Sequence, residues 1–410
     1  TAVGVSGSTP STKPLSTTLC RAGSGALSAA ACTLSFADSG FVFDVLDTLA
    51  NRPQDVVISA VKKDNATQQC VPGFTGERSV GFWGTYVTPN DNSAGSQMAI
   101  DGKTISTYAA NVVSPAATTL NLTFDGQGKA TLKSVRYPDA GQMRLNARHD
   151  GSGDTAGLVM TGSDLFVSRP VGLCITPAQV ACAAGDANCP VFKKAGETFQ
   201  VDIKAMAWES ANDGDICTGN LATPNFALAN IALDSILLAP SLGTNATLGT
   251  TRYNHEVAAN SLNSINQTVS EVGVFRMTAT PPEAKQPEGS TVSTGYFGYT
   301  IPATNVPLGR FVPWDFYLVS STVTPACGGF SYMSQPFWVQ TTVQARNKQG
   351  EITQNYRDAF AKGVISLVAA NNQDGVDRSN RLVDPLVASW SAGVVRFNDQ
   401  IRFKRLQDLT

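Results

Sequence analysis

The chain has 410 residues, more than one ordinary hydrophobic core holds, so about two to four domains are expected. Its hydrophobic content of 42% excludes wholesale disorder, and its net charge of −2 argues against nucleic acid or an anionic membrane as the main partner. With 36 glycines and only 15% charged residues, the composition is typical of strands and turns rather than long helices.

The beginning of the chain differs in composition from the rest. Residues 1–30 are mainly small and polar, which predicts a linker or surface segment. Because the sequence starts at Thr1 without a signal peptide, we expect a processed chain or an excerpt. No apolar run reaches the roughly 18–20 residues that span a bilayer, so no membrane span is expected in this segment.

Three stretches alternate apolar and polar residues, which is the period of a strand that buries one face against a second sheet. They begin at Asp55, Gly196 and Gln335. The residues that share the expected face are Val57, Ser59 and Val61 in the first stretch, Phe199, Val201, Ile203, Ala205 and Ala207 in the second, and Phe337, Val339, Thr341, Val343 and Ala345 in the third.

A tetrad of the form Thr-x-Asn-aromatic follows two of these stretches. It is TPNF over residues 223–226 and TQNY over 353–356, and TQQC over 67–70 is a fainter copy. Because each tetrad comes after a strand and a polar turn, we expect it to occupy the same place in repeated domains.

A second phrase also occurs three times: a glycine three residues before an arginine, beginning at Gly141, Gly273 and Gly393. Asp139 and Glu271 precede the first two glycines by two residues, which is typical of the corner before the penultimate strand of an Ig-like domain. The third phrase lacks this acid. The order of strand, tetrad and Gly-x-x-Arg strand predicts three copies of one domain.

These repeats predict an all-β chain of tandem immunoglobulin-like β-sandwich domains. Proline after an apolar strand marks candidate boundaries in VSRPVG (167–172) and GRFVPWDF (309–316). One helical turn is expected within QNYRDAFAKGV (354–364). The predicted order is a linker over 1–30 and sandwiches over 31–168, 169–312 and 313–410, the last incomplete at its C-terminus.

The eight cysteines form no CxxC pair, and only two histidines could complete a metal site, which argues against zinc. Disulfides in an oxidising compartment are the expected use of these residues. The favoured pairs are Cys182–Cys189 and Cys174–Cys217, Cys32–Cys70 competes with Cys20–Cys32, and Cys327 has no assigned partner.

The sequence contains few features of a catalytic site. The sequence has no nucleophile elbow, phosphate-binding loop, dinucleotide fingerprint or HExxH motif. His149 is interpreted as part of a solvated turn and His255 as a surface residue, so neither is expected to act as a general base. We expect no enzyme, and the alternative is a glycan-acting hydrolase on a β scaffold, for which Asp213 and Asp215 are a carboxylate pair.

Two weaker kinds of site are predicted. Asp374 and Asp377 lie in a run of Asp, Asn and Gly that could bind calcium, although the spacing is not that of an EF-hand and ordinary turns use the same residues. Trp338 alternates with Val339, so its side chain is expected to face outward, where it could contact a ligand or pack under a neighbouring loop. Trp314 is the second candidate for ligand binding. No other cofactor is expected.

Several phrases then indicate a family: ACTLSFADSGFVFDV from Ala31, YPDAGQMRLNARHDGSGDTAGLVMTGSDLFVSRPVGLC from Tyr137, TPNF, SEVGVFRMTAT, GRFVPWDF, FSYMSQPF and QARNKQGEITQNYRDAFAKG. Together they resemble the core of MshQ-like proteins, large surface proteins assigned to mannose-sensitive haemagglutinin (MSHA) type IV pilus systems of Gram-negative bacteria. The resemblance covers about residues 20–410. Trp314 and Asp315 stand where the family usually has Asp and His, so no role of that histidine carries over.

The resemblance implies an exported protein, located extracellularly or at the cell surface, with no catalytic motif to transfer. The leading hypothesis is therefore a non-enzymatic adhesin or stalk protein that mediates attachment or pilus assembly. Its expected partners are type IV pilus subunits or other cell-surface proteins, with surface glycans as a further candidate. A purely structural spacer that presents another domain is the alternative.

Overall fold

A computed structural model describes residues 20, 39–91, 96–113, 115–178, 182, 184–285, 294–383 and 388–405. The predicted linker over 1–30 lies outside these residues except for Cys20. We call strands β1–β12 the first domain, β13–β20 the second and β21–β24 the third. The boundaries at 168/169 and 312/313, and the incomplete state of the third domain, stay predictions.

The described part of the chain is built almost entirely of strands. Those of the first domain are β1 (Ser39–Val42), β2 (Thr48–Leu49), β3 (Gln54–Lys63), β4 (Cys70–Pro72), β5 (Gly76–Thr88), β6 (Met98–Ile100), β7 (Lys103–Ile105), β8 (Thr107–Ala109), β9 (Thr118–Phe124), β10 (Lys129–Val135), β11 (Gly141–Asp150) and β12 (Val159–Arg169). Those of the second are β13 (Gly172–Pro177), β14 (Val191–Lys194), β15 (Phe199–Met206), β16 (Leu228–Ala239), β17 (Arg252–His255), β18 (Asn263–Gln267), β19 (Gly273–Thr280) and β20 (Thr304–Val312). Those of the third are β21 (Asp315–Thr324), β22 (Phe337–Arg346), β23 (Leu382–Val383) and β24 (Val394–Phe403).

Short 3-10 helices interrupt the strands at Gly153–Thr155, Ala259–Ser261, Asp358–Phe360 and Ser379–Arg381. The third of them lies within QNYRDAFAKGV and confirms the single turn predicted there. Within the described ranges, none of these helices has the length or apolar character of a membrane-spanning helix.

The first and second domains are two-layered sandwiches with the same strand arrangement. In the first, β3 pairs with β1 and β10 in one sheet, and β11 pairs with β12 and β5 in the other. In the second, β15 pairs with β13 and β18, and β19 pairs with β20 and β16. The tandem immunoglobulin-like sandwich prediction is confirmed. Each sandwich encloses its own apolar core, represented by Ile58 and Phe82 in the first and by Val201 and Phe275 in the second.

The alternating strands were predicted with mixed success. All five residues predicted for the second stretch are buried, and Val339, Thr341, Val343 and Ala345 are buried in the third. The face chosen for the first stretch was wrong. Val57 is 53% exposed, whereas Val56, Ile58 and Ala60 are buried, because this strand has apolar residues on both faces and alternation alone does not say which one meets the second sheet.

The third Gly-x-x-Arg phrase is not equivalent to the other two, which corrects the prediction that the phrase marks the same strand in each domain. Its strand, β24, pairs antiparallel with β22, as β18 pairs with β15 in the second domain. Backbone φ is +78° at Gly393, against +147° at Gly141 and +134° at Gly273. A glycine turn followed by an alternating strand is compatible with either sheet, so the local pattern could not distinguish these positions.

Candidate functional site

Trp338 lies in β22 with 44% of its surface exposed, next to Val339, which is 3% exposed. The predicted outward orientation of the indole is therefore present in the structure. Its neighbours across the sheet are polar, Thr324 in β21 and Gln400 in β24. A ligand at Trp338 stays a prediction.

Trp314 lies at the opposite end of the third domain. Its N–H donates to the carbonyl of Arg346 at 2.7 Å. Arg346 lies eight positions after Trp338 in β22, which is about 26 Å at the rise of an extended chain. The ammonium groups of Lys194 and Lys348 lie 5.1 Å and 5.4 Å from the centroid of the Trp314 ring. Trp314 thus packs between the second and third domains, and the two tryptophans do not form one site.

Other exposed apolar side chains accompany Trp338 at its end of the third domain. Phe330 and Tyr332, in the loop between β21 and β22, stack edge to face with ring centroids 5.1 Å apart. They are 54% and 62% exposed, and Met333 beside them is 48% exposed. We call Phe330, Tyr332, Met333 and Trp338 the tip cluster. The three loop residues were not predicted from the sequence, in which their only signal is a pair of aromatic residues in a short connection.

The calcium candidates are exposed and serve as turn residues. Asp374 accepts a hydrogen bond from the N–H of Val376 at 2.9 Å, and Asp377 accepts one from the N–H of Ser379 at 2.8 Å. Hydrogen bonds from the Ser379 hydroxyl and N–H lower the pKa of Asp377. In the described residues, no group of three or more His, Cys, Asp or Glu side chains converges as metal ligands would. Calcium binding at these aspartates stays a prediction.

Both histidines are buried, so their interpretation as solvated surface residues was wrong. His149 lies against the ring of Phe74, with Nδ1 2.9 Å from the carbonyl of Ser79 and Nε2 3.0 Å from the hydroxyl of Thr155. His255 is 1% exposed, with Nε2 3.0 Å from the hydroxyl of Ser261. Burial lowers the pKa of His255 to about 4. The neighbouring 3-10 helices supply both hydroxyls, a tertiary arrangement that the sequence does not show.

The structure contains the disulfides Cys174–Cys217 and Cys182–Cys189. Cys70 is a free, exposed cysteine, so the Cys32–Cys70 pair is not formed. Cys20 is disulfide-bonded, Cys327 is free, and Cys32 lies outside the described residues.

The contact between the first and second domains is built around Asp139, which is fully buried. One carboxylate oxygen accepts the N–H of Ala140 at 2.7 Å and the N–H of Asn225 in the second domain at 3.0 Å. The other accepts the hydroxyl of Ser96 at 2.9 Å. Burial raises the pKa of Asp139, although these hydrogen bonds act in the opposite direction. The corner acid of the first domain therefore binds the tetrad of the second.

Glu271 repeats this arrangement between the second and third domains. Its carboxylate accepts the N–H of Val272 at 3.2 Å, and the N–H groups of Gln354 and Asn355 at 2.9 Å and 3.2 Å. Burial again raises the pKa of the acid. Asn355 is also tied to the backbone of Thr244, with which its side chain exchanges hydrogen bonds of 2.7 Å and 2.8 Å.

In both places the acid receives the N–H of the residue after it and the N–H of the tetrad asparagine. We call these two contacts the first and second joints. The sequence shows the acids and the tetrads separately and does not predict that they meet.

Further contacts support each joint. At the first, the hydroxyl of Tyr299 donates to Asp47, and the guanidinium of Arg169 lies 4.3 Å from the centroid of the Tyr299 ring. Burial, followed by the bond to Asp47, raises the pKa of Tyr299 to about 12. At the second, the Cys182–Cys189 loop joins an apolar cluster with Val274, Tyr356 and Phe360.

A cavity of 790 Å³ lies on the inner side of the third domain, between its sheet and the stretch after the TQNY tetrad. Its apolar lining includes Ile365, Leu367, Leu382, Trp390 and Ile401. The sequence does not predict this cavity, because the cavity depends on which segments lie opposite the sheet.

Comparison with known families finds three consecutive matches. They are the first Ig-like domain of the domain of unknown function DUF6701 over residues 17–163, the second DUF6701 domain over 169–265 and the third over 271–409. The third match includes β19 and β20, which pair with strands of the second domain here. No curated protein matches the sequence.

Several solved structures resemble the fold at low identity. Invasin, a bacterial integrin-binding protein, is 12% identical with a TM-score of 0.32, and the match covers 90% of this chain and 55% of invasin. The Yersinia pseudotuberculosis adhesin InvE is 12% identical with a TM-score of 0.31, over 81% of this chain and 72% of InvE. Titin domains I67–I69 are 7% identical with a TM-score of 0.32, over 91% and 92%. Likeness at this level carries no argument about activity or partners.

Proposed function

We propose that this chain, which carries the first, second and third domains of the DUF6701 family in order, is an exported, non-enzymatic adhesin of a type IV pilus system of the MSHA kind. Its tandem sandwiches form the stalk, and the tip cluster at the end of the third domain makes the contact. The partners are pilus subunits or other cell-surface proteins, with surface glycans as a second ligand class.

The exposure of the tip cluster is the observation that carries this proposal. Four large side chains with exposed fractions of 44% to 62% occupy one end of the third domain. Aromatic side chains combine large apolar area with a polar group, which suits them to protein interfaces and to stacking on sugars. Exposed groups of this kind mark interaction sites more often than single exposed residues do.

The Cys174–Cys217 and Cys182–Cys189 disulfides support the proposed location, because such bonds persist in oxidising compartments. The two joints favour a second candidate, a spacer that holds another domain away from the surface. A spacer needs the joints but not the tip cluster, so substitutions in the cluster distinguish the two functions.

The test is a pull-down of purified pilus subunits with the full chain, together with a glycan array. We expect Trp338→Ala and Tyr332→Ala each to weaken binding roughly 10-fold or more, as anchor residues of an interface do. Leu242→Ala is the matched control, because Leu242 is an apolar residue of the second domain that is 77% exposed. Binding that the tip substitutions leave unchanged would remove the cluster from the proposal, and no binding by the wild-type chain would favour the spacer.

A further inference from the structure

Residues 363–369, which we call the unpaired segment, correspond to β16 of the second domain in their order along the chain. β16 follows the TPNF tetrad directly, and the unpaired segment follows TQNY after one 3-10 turn. Exposure alternates residue by residue along it: Val364 is 91% and Val368 is 76% exposed, whereas Ile365 and Leu367 are half-buried. This is the period of a strand with one face turned inward.

The backbone of this segment lacks the partner that a strand has. Among the residues that the structure describes, none forms a backbone hydrogen bond with residues 364–368. The two ends are held instead. The N–H of Gly363 donates to the Tyr356 hydroxyl at 2.6 Å and its carbonyl accepts the indole N–H of Trp390 at 2.8 Å, while the N–H of Ala369 donates to the Ser379 hydroxyl at 2.9 Å.

The second domain shows what stands beside such a strand. There β16 pairs antiparallel with β19, with Leu237 opposite Phe275 and Ser235 opposite Met277. Phe275 and Met277 are fully buried and fill the space between the sheets. In the third domain the space beside the unpaired segment is the 790 Å³ cavity, whose lining includes residues 363–367, and Ile365 and Leu367 are the more buried side chains among residues 364–367.

We propose that the unpaired segment is an acceptor for a β-strand donated by a second polypeptide. The donor runs antiparallel to residues 363–369, like β19 beside β16, and carries apolar side chains at alternate positions that enter the cavity. Its main chain uses the free N–H and C=O groups of the acceptor, as in other cases of strand addition to an exposed edge.

The acceptor is continuous with an established interface. Tyr356 and Trp390, which hold Gly363, belong to the apolar cluster of the second joint. An antiparallel donor starts beside Ala369 and ends beside Gly363 at that cluster, so its last apolar side chains extend the buried surface of the joint. The segment carries no charged residue, which favours an uncharged apolar row in the donor.

The probe for the test is a synthetic peptide with the sequence of residues 270–280, SEVGVFRMTAT, because this stretch contains the strand that fills the equivalent place in the second domain. The full chain is mixed with this labelled peptide or with a scrambled peptide of the same composition. Binding is followed by fluorescence anisotropy, and amide hydrogen exchange locates the contact. We expect saturable binding of the probe alone, with exchange at residues 364–368 slowed at least 10-fold.

Leu367→Asp places a charge on the inward face and is expected to weaken binding at least 10-fold. Val368→Asp is the matched control, because Val368 is 76% exposed and is not part of the cavity lining, so binding should remain. Near-UV circular dichroism verifies that both variants are folded. Absence of binding at about 1 mM peptide, equal binding of the scrambled peptide, or protection of the edge strand β21 instead of residues 364–368 would overturn the proposal.

Discussion

The carboxyl groups of Asp139 and Glu271 are buried, away from the water that normally solvates a carboxylate. Burying a charged or unpaired polar group is costly, so a buried acid needs hydrogen-bond donors around it. At both positions one donor comes from the acid's own corner and at least one from the next domain. The acid thus stabilises a contact between two domains. Its position is therefore restricted by the next domain as well as by the corner of its own sandwich.

Removing the carboxyl group of Asp139 should therefore destabilise the protein. Asp139→Ala leaves the buried N–H of Asn225 without its acceptor, and such a group costs about 1–3 kcal/mol of the free energy of unfolding. Asp139→Asn keeps an acceptor oxygen and should cost less than half as much. Urea denaturation measures both values. Asp44→Ala, at an exposed aspartate, is the control and should change the free energy by less than about 0.5 kcal/mol.

Equal effects of Asp139→Ala and Asp139→Asn would mean that the loss of charge, rather than loss of the acceptor for Asn225, determines the stability.

His255 predicts an effect of pH on stability. Its pKa falls from 6.5 to about 4 on folding because burial disfavours the charged imidazole. The folded state then binds fewer protons than the unfolded state between these values, so stability is present above pH 6.5 and is lost as the pH falls towards 4. At 1.36 kcal/mol per pH unit, the loss is up to about 3 kcal/mol.

The measurement compares the wild type with His255→Gln by denaturation at pH 7 and at pH 4. The wild type should lose up to about 3 kcal/mol more than the variant over this interval. Raised carboxyl pKa values at Asp139 and Glu271 act with the opposite sign, since they give stability that is lost as the pH rises. Both proteins share this contribution, so it cancels in the comparison, and parallel pH profiles would contradict the role of His255.

At the scale of elements, sequence patterns predicted strands better than their pairing. In β15 the polar residues all lie on one face, so the alternation predicted the buried face correctly. β3 has apolar residues on both faces, so the sequence could not select the face. The strand after Gly393 has the local pattern of β11 and β19 but pairs with β22, since pairing depends on residues far away in the sequence.

The Cys182–Cys189 loop shows how an element contributes to a joint. The loop packs in the apolar cluster of the second joint, and the carbonyl of Ala187 within it accepts the ammonium of Lys362 in the third domain at 2.6 Å. Opening the disulfide with the pair Cys182→Ala and Cys189→Ala should cost about 2.5 kcal/mol by the loop-entropy relation for roughly eight residues. Hydrogen exchange at the N–H groups of Gln354 and Asn355 should accelerate.

The Cys174–Cys217 bond is the matched comparison for that experiment, because neither cysteine belongs to the cluster of the second joint. Removing this bond should destabilise the second domain. Hydrogen exchange at the N–H groups of Gln354 and Asn355 should stay close to that of the wild type when the two proteins are compared at conditions of equal overall stability. Equal acceleration in both variants would show that the 182–189 loop has no special effect on the joint.

At the scale of the whole molecule, the joints make neighbouring domains depend on each other. Asn225 lies 86 residues after Asp139, and Asn355 lies 84 residues after Glu271, so the two contacts recur with nearly the same separation. A single sequence shows the acids and the tetrads as separate repeats. Their contact across domains is visible only in the folded structure, which is why the joints were predicted incompletely.

The second joint allows a test of this dependence. Glu271→Ala removes the acceptor of the Gln354 and Asn355 N–H groups, so the third domain should sample more orientations relative to the second. Small-angle X-ray scattering should show a broader distance distribution at unchanged far-UV circular dichroism. Glu256→Ala, at an exposed glutamate of the second domain, should scatter like the wild type. If Glu271→Ala also scatters like the wild type, the apolar cluster alone orients the third domain, and the acid serves only to satisfy buried N–H groups.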